Sequence, residues 1–67
     1  MIIKPKQNAR KWTKERLKRH PGLWEVEQEA KEAPCWQGEK AILLKNIQDG
    51  WSGWFPVIDI EVENGNI

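Results

Sequence analysis

The sequence predicts an α+β fold, a short N-terminal helix followed by a small antiparallel sheet of three to four strands. Three observations carry that expectation. Helical spacing of apolar residues marks the segment before Pro21-Gly22, alternating apolar and acidic residues follow it, and turn signals at Gln48-Asp49-Gly50 and Gly53 divide the remainder. Sixty-seven residues allow one domain. A core of that size supplies only about 3–5 kcal/mol of net stability.

Residues 1–7 are expected to be extended, because Pro5 fixes its own φ and biases Lys4 away from helix. Residues 1–3 are the candidate fourth strand. Asn8 and Thr13 are the two candidate caps of a helix ending near Arg19. Thr13, with Glu15 in the first turn, is the better-charged start, whereas a start at Asn8 sets Arg10 and Lys11 at the positive end of the dipole. Ala9, Trp12, Thr13, Arg16 and Leu17 share one face, and Arg16 falls one turn beyond Trp12, within reach of its indole. Lys11, Lys14, Lys18 and Arg19 face solvent. Pro21-Gly22 ends the helix.

Residues 23–33 support two readings. As a helix, Leu23, Val26, Ala30 and Ala33 form a face; as a strand, Glu25, Glu27 and Glu29 alternate with Trp24, Val26, Gln28 and Ala30. The need for a third strand decides for a strand over 23–30. Residues 40–47 predict a buried strand. Residues 54–63 predict another, with Ile58, Ile60 and Val62 inward and Asp59, Glu61 and Glu63 in solvent. Pro56 belongs at its entrance or on a sheet edge, and Asn64-Gly65-Asn66 ends it. The acidic alternation is the kind of charge that protects exposed strands from aggregation.

The net charge of +1 conceals a division of the chain. Residues 1–20, the basic N-terminal arm and helix, hold Lys4, Lys6, Arg10, Lys11, Lys14, Arg16, Lys18 and Arg19 against Glu15 alone, a balance of +7. Residues 21–67, the β-rich body, hold three lysines against nine acids, a balance of −6. Either the arm meets a polyanion, or it folds back and is neutralised by its own body.

Trp36-Gln37-Gly38-Glu39-Lys40-Ala41-Ile42-Leu43-Leu44, Asp49-Gly50-Trp51 and Gly53-Trp54-Phe55-Pro56-Val57-Ile58-Asp59-Ile60-Glu61 together resemble the second half of an SH3 domain. The resemblance spans about 26 residues and implies an SH3-like small barrel. It places Trp51 and Pro56 at peptide-groove positions. The chain departs from that family in having only Ser52 between Trp51 and Gly53, where the family has a whole hairpin, and in having no tyrosine.

Five tryptophans, Trp12, Trp24, Trp36, Trp51 and Trp54, supply apolar area that a single phenylalanine cannot, so most are expected in the core. Trp54 and Phe55 are consecutive on a strand, so one of the two faces out. Trp12, Trp51 and Trp54 are the candidate aromatic contacts. Cys35, the only cysteine, is expected to be a small buried residue, and one cysteine points to a reducing cytoplasm. His20 is the only histidine, and no spacing joins it to Cys35 in a catalytic pair. No cofactor fingerprint or metal-ligand spacing is present. Mean hydropathy of −0.77 and the lack of a long apolar run argue against a membrane partner, and residues 1–6 have no secretory h-region.

The expected function is therefore that of a non-enzymatic binding protein. Its nucleic-acid-binding residues would be Lys4, Lys6, Arg10, Lys11, Lys14, Arg16, Lys18 and Arg19. The alternative is a protein-docking module or small inhibitor of the phage or mobile-element type, using the Trp cluster and the acidic edge.

Overall fold

The computed structural model describes residues 1–63. The elements are β1 (Ile2–Pro5), α1 (Lys11–Arg19), β2 (Trp24–Glu32), β3 (Lys40–Asn46), β4 (Ser52–Pro56) and β5 (Ile60–Glu63), with 3-10 turns at Pro34–Trp36 and Val57–Asp59. This is an α+β fold with one helix and two antiparallel sheets, β1-β5 and β2-β3-β4. Trp24 N–H donates to Met1 O, and the Met1 amino group donates to Trp24 O, both at 2.9 Å, so β2 is tied to the residue ahead of β1, and the two sheets do not close into a barrel. The expected end of the last strand at Asn64-Gly65-Asn66 lies outside the described residues.

The ambiguous segment forms a strand, as the glutamate alternation predicts, although it covers Trp24–Glu32 rather than 23–30 and is irregular. Its pairing with β3 shifts between Val26 and Gln28 and again between Gln28 and Lys31. Only Trp24 of this strand is buried. The β3–β4 pairing places Ile42 opposite Phe55 and Leu43 opposite Trp54, so Phe55 enters the core and Trp54 takes the outer face.

Ile3, Leu17, Trp24, Leu44, Phe55 and Ile60 form the core, with Met1, Trp12, Ile42 and Trp51 packed against it. Residues 1–20 contribute to this core directly: Ile3, Ala9, Thr13 and Leu17 are buried. Trp24 meets Phe55 edge-on at 5.5 Å and Trp51 at 6.2 Å, the T-shaped arrangement that indole quadrupoles favour. Of the five indoles Trp24 alone is fully buried; the other four are half-buried, so the expectation that most lie in the core is corrected.

Three further expectations are corrected. Residues 54–63 are not one strand, because the 3-10 turn at Val57–Asp59 replaces a period of two with a period of three. Ile58 is consequently 65% exposed while Asp59 is only 4% exposed, the reverse of simple alternation. Neither Asn8 nor Thr13 caps the helix; Arg10 occupies the N-cap position and makes no side-chain capping bond. Cys35 is exposed, because the 3-10 turn that begins at Pro34 carries it outward.

Asp59 supplies what the helix start lacks. The first turn of α1 has no acid. The buried Asp59 carboxylate accepts from Thr13 Oγ1 at 2.8 Å and from Arg10 N–H at 3.3 Å, and its other oxygen lies 3.2 Å from the Arg10 guanidinium. Burial of this carboxylate is sustained because donors and a positive helix end surround it. At the opposite end, buried Asn46 donates through Nδ2 to His20 O at 2.9 Å and Pro21 O at 3.1 Å. Its Oδ1 accepts from the Gln48 and Asp49 N–H groups at 2.9 and 3.0 Å.

Candidate functional site

Helix α1 has a structural face and a wet face. Thr13 and Leu17 point into the body. Lys11, Lys14 and Lys18 recur at intervals of three and four residues, so they lie along one exposed stripe with Glu15 and Arg19 beside it. From Lys11 to Lys18 the stripe is about 10 Å long at the helical rise per residue.

Between these faces runs a half-buried ribbon of rings and cations. Trp12, Arg16 and His20 follow one another at four-residue spacing, and Trp51 from the β3–β4 turn lies against the last two. The Arg16 guanidinium carbon sits 5.5 Å from the Trp12 ring and 5.7 Å from the Trp51 ring. His20 stacks on Trp51 at 4.5 Å with a 10° interplanar angle. Trp12 continues the ribbon to Trp36 at 5.2 Å, and Arg10 lies 5.3 Å from that ring. Gly53 makes room for Trp51: a Cβ there would collide with the indole's six-membered ring.

His20 Nδ1 lies 2.7 Å from Asp49 Oδ2. A carboxylate only accepts, so Nδ1 carries the proton. That hydrogen bond, with a second from the Trp51 N–H to Asp49 Oδ1, holds the Asp49 carboxyl below the usual carboxylate range.

The eight expected phosphate ligands divide into distinct groups. Lys4 pairs with Glu63 at 3.0 Å. Arg10 is bound between Glu39 and Asp59, and these contacts, with Glu39 foremost, raise its already high pKa. Lys11 has only a weak pair with Glu15 of its own helix, at 4.0 Å, and Arg16 is held between two indoles. Lys14 donates to the Gln7 carbonyl at 2.9 Å. Among the described residues Lys6, Lys14, Lys18 and Arg19 have no carboxylate within 4.0 Å. The acids of β2 do not fold onto the helix: Glu25, Glu27, Glu29 and Glu32 are exposed and enter no ion pair among the described residues. Neutralisation of the basic segment by its own body is thus partial.

The three candidate aromatic contacts do not form one surface. Trp12 and Trp51 are bridged by Arg16, whereas Trp54 lies on the outer sheet face with Lys31 Nζ 5.3 Å from its ring. The positions that the SH3 resemblance assigns to a peptide groove are occupied from within, since Pro56 is buried and His20 and Arg16 cover Trp51. Sequence reasoning missed His20 as part of this surface; its four-residue spacing from Arg16 was the available signal. Arg10, Cys35, Trp36, Gln37 and Glu39 line an open cleft of about 350 Å³, on different elements from His20. Among the described residues no group of three His, Cys, Asp or Glu side chains is placed to hold a metal ion, and no helix is long and apolar enough to cross a membrane. No family model, curated protein or solved structure matches the chain.

Proposed function

We propose that this chain is a non-catalytic nucleic-acid-binding protein whose contact surface is the wet face of α1, acting in the cytoplasm. The observation that carries this reading is the stripe Lys11, Lys14 and Lys18 with Arg19 beside it. It is exposed and faces no neutralising acid beyond a weak intrahelical pair with Glu15. An array of cations held on a helix gains affinity by releasing the counterions condensed on a phosphate backbone. Lys4 and Arg10 leave the expected set of ligands, because carboxylates already hold them. Arg16 becomes a brace for the ribbon. The scaffold is read as an open SH3-like barrel, supported by the β1-β5 pair, the β2-β3-β4 sheet and the 3-10 turn ahead of the last strand.

Four phosphate contacts predict that log affinity falls against log salt with a slope near −3.6 on duplex DNA, roughly a hundredfold loss over a fourfold rise in salt. The triple substitution K11E/K14E/K18E is expected to weaken binding by at least about thirtyfold while leaving the circular dichroism spectrum unchanged. Affinity independent of salt, or unaltered in the folded triple variant, refutes the reading. A second reading, docking to a basic protein partner, is favoured by one feature: β2 is an edge strand with four exposed, unpaired glutamates. Capture of a stoichiometric protein from nuclease-treated lysate, lost on changing Glu25, Glu27 and Glu29 to Gln, would select it.

A further inference from the structure

Resting on the nucleic-acid reading, we infer that the ligand of α1 is the phosphate backbone of a duplex, bound without base stacking and without sequence preference. Single strands are held by non-specific binders through open aromatic faces on which successive bases stack. This chain has four half-buried indoles, and each is already engaged. Trp12 is bounded by Trp36 at 5.2 Å, Phe55 at 5.3 Å and the Arg16 guanidinium. Trp51 is stacked by His20, approached by Arg16 and met edge-on by Trp24 and Phe55. Trp36 carries Arg10 and donates its indole N–H to Trp54 O at 2.9 Å. Trp54 is covered by Lys31 and lies on another face of the molecule. A base would have to displace a cation or an imidazole from any of these rings.

The wet face itself offers cations and one glutamate. Three of its four cations are lysine ammoniums, mobile point charges suited to phosphate, and Arg19 is its one planar fork of the kind that pairs with guanine. A lysine stripe of this kind contacts chiefly phosphate, which sets position and carries no sequence information. A duplex carries one negative charge per about 1.7 Å of axis, against about 3.4 Å for one strand, so its condensed counterion layer, whose release favours binding to a rigid stripe about 10 Å long, is denser.

The test is a fluorescence-anisotropy titration of the native chain. The probes are a labelled mixed-sequence DNA duplex of about 20 base pairs, a second duplex of unrelated sequence, and the matching single strand, at about 50 mM salt, with indole emission recorded in parallel. The expected result is a duplex preference of at least about tenfold, near-equal affinity for the two duplexes, and indole emission unquenched on binding. A smaller preference, discrimination between the duplexes, or quenching that shows bases stacking on the rings overturns this inference while leaving the nucleic-acid reading in place. Failure of all three probes to bind removes both.

Discussion

At its N-terminal end α1 meets the carboxylate of Asp59, and at its C-terminal end it meets the carboxamide of Asn46. Both side chains are buried, Asp59 at 4% exposure and Asn46 at 0%, and both come from the sheet region rather than from the helix. Their chemistry is opposite, as the helix requires. The N-terminal end presents unpaired N–H donors and partial positive charge, which an acceptor bearing negative charge satisfies; the C-terminal end presents carbonyls, which a neutral NH₂ donor satisfies. Lys11, Trp12, Thr13 and Lys14 make a poor first turn on their own, and distant Asp59 compensates. The last turn is already favourable, with Arg16, Lys18 and Arg19 beside the negative end. A charge is thus used where local sequence works against the helix, and a neutral amide suffices where it does not. The lysine stripe is held in a fixed direction because both ends of its helix are tied.

The comparison breaks most severely at Asp59. Asp59→Ala removes the acceptor for Thr13 and for Arg10 N–H and leaves the guanidinium with Glu39 alone. Loss of a buried, paired carboxylate costs about 3–5 kcal/mol, comparable with the whole net stability of a chain this small. The expected result is a largely unfolded protein at 25 °C by circular dichroism. Thr13→Val sharpens the point, because it deletes only the 2.8 Å hydroxyl bond and is expected to cost about 1–2 kcal/mol in urea unfolding. Equal effects of the two substitutions would show that Asp59 acts through Thr13 and not through the helix end and Arg10.

At the other end the test is a change of sign. Asn46→Asp keeps the shape and the acceptor for the Gln48 and Asp49 N–H groups, but it turns a second oxygen and a negative charge toward His20 O and Pro21 O. The expected cost at pH 7 is about 2–3 kcal/mol. The introduced carboxyl is favoured in its protonated form, which can donate, so its folded pKa lies above its unfolded value. The deficit relative to wild type is therefore small below about pH 4 and grows as pH rises through the folded pKa. Urea unfolding of both proteins at acid and neutral pH measures it; a deficit that is constant with pH would mean that Nδ2 is not needed as a donor.

Much of this arrangement was legible in the sequence, for local reasons. The helix followed from the spacing of Trp12 and Leu17 and the stop at Pro21-Gly22, and the β2 strand from its glutamate alternation. The wet lysines and the Arg16–Trp12 contact followed from helical spacing. What could not be read depends on partners distant in the chain. Asp59 looks like one more acid in an alternating strand, because three residues do not distinguish a period of two from a period of three. Its hydroxyl partner stands 46 positions away. Asn46 looks like an ordinary residue ahead of a turn, and its bonds to the end of α1 exist only once β3 is paired. Trp51 reads as a potential contact, but nothing nearby in sequence announces that His20 and Arg16 occupy it.

The smallest expected effect lies at the margin of the C-terminal end, where Asp49 orients His20. His20 is the C-cap of α1, and its ring position is set by the 2.7 Å bond to Asp49 and by the stack on Trp51. The folded state holds the Asp49 carboxyl below its unfolded value of about 4, so its contribution is complete above that pH and is lost as pH falls through the lowered folded pKa. Asp49→Asn removes that dependence. It should therefore lower stability slightly at neutral pH and flatten the acid side of the stability–pH profile below about pH 4. Because the Asp49 carboxylate is solvent-exposed, the change is expected to be much smaller than at Asp59 or Asn46. Near-UV circular dichroism should report it more clearly than the unfolding midpoint, since releasing His20 alters the environment of Trp51. A variant that unfolds as readily as Asn46→Asp would show that the histidine stack, and not the buried carboxamide, secures this end of the helix.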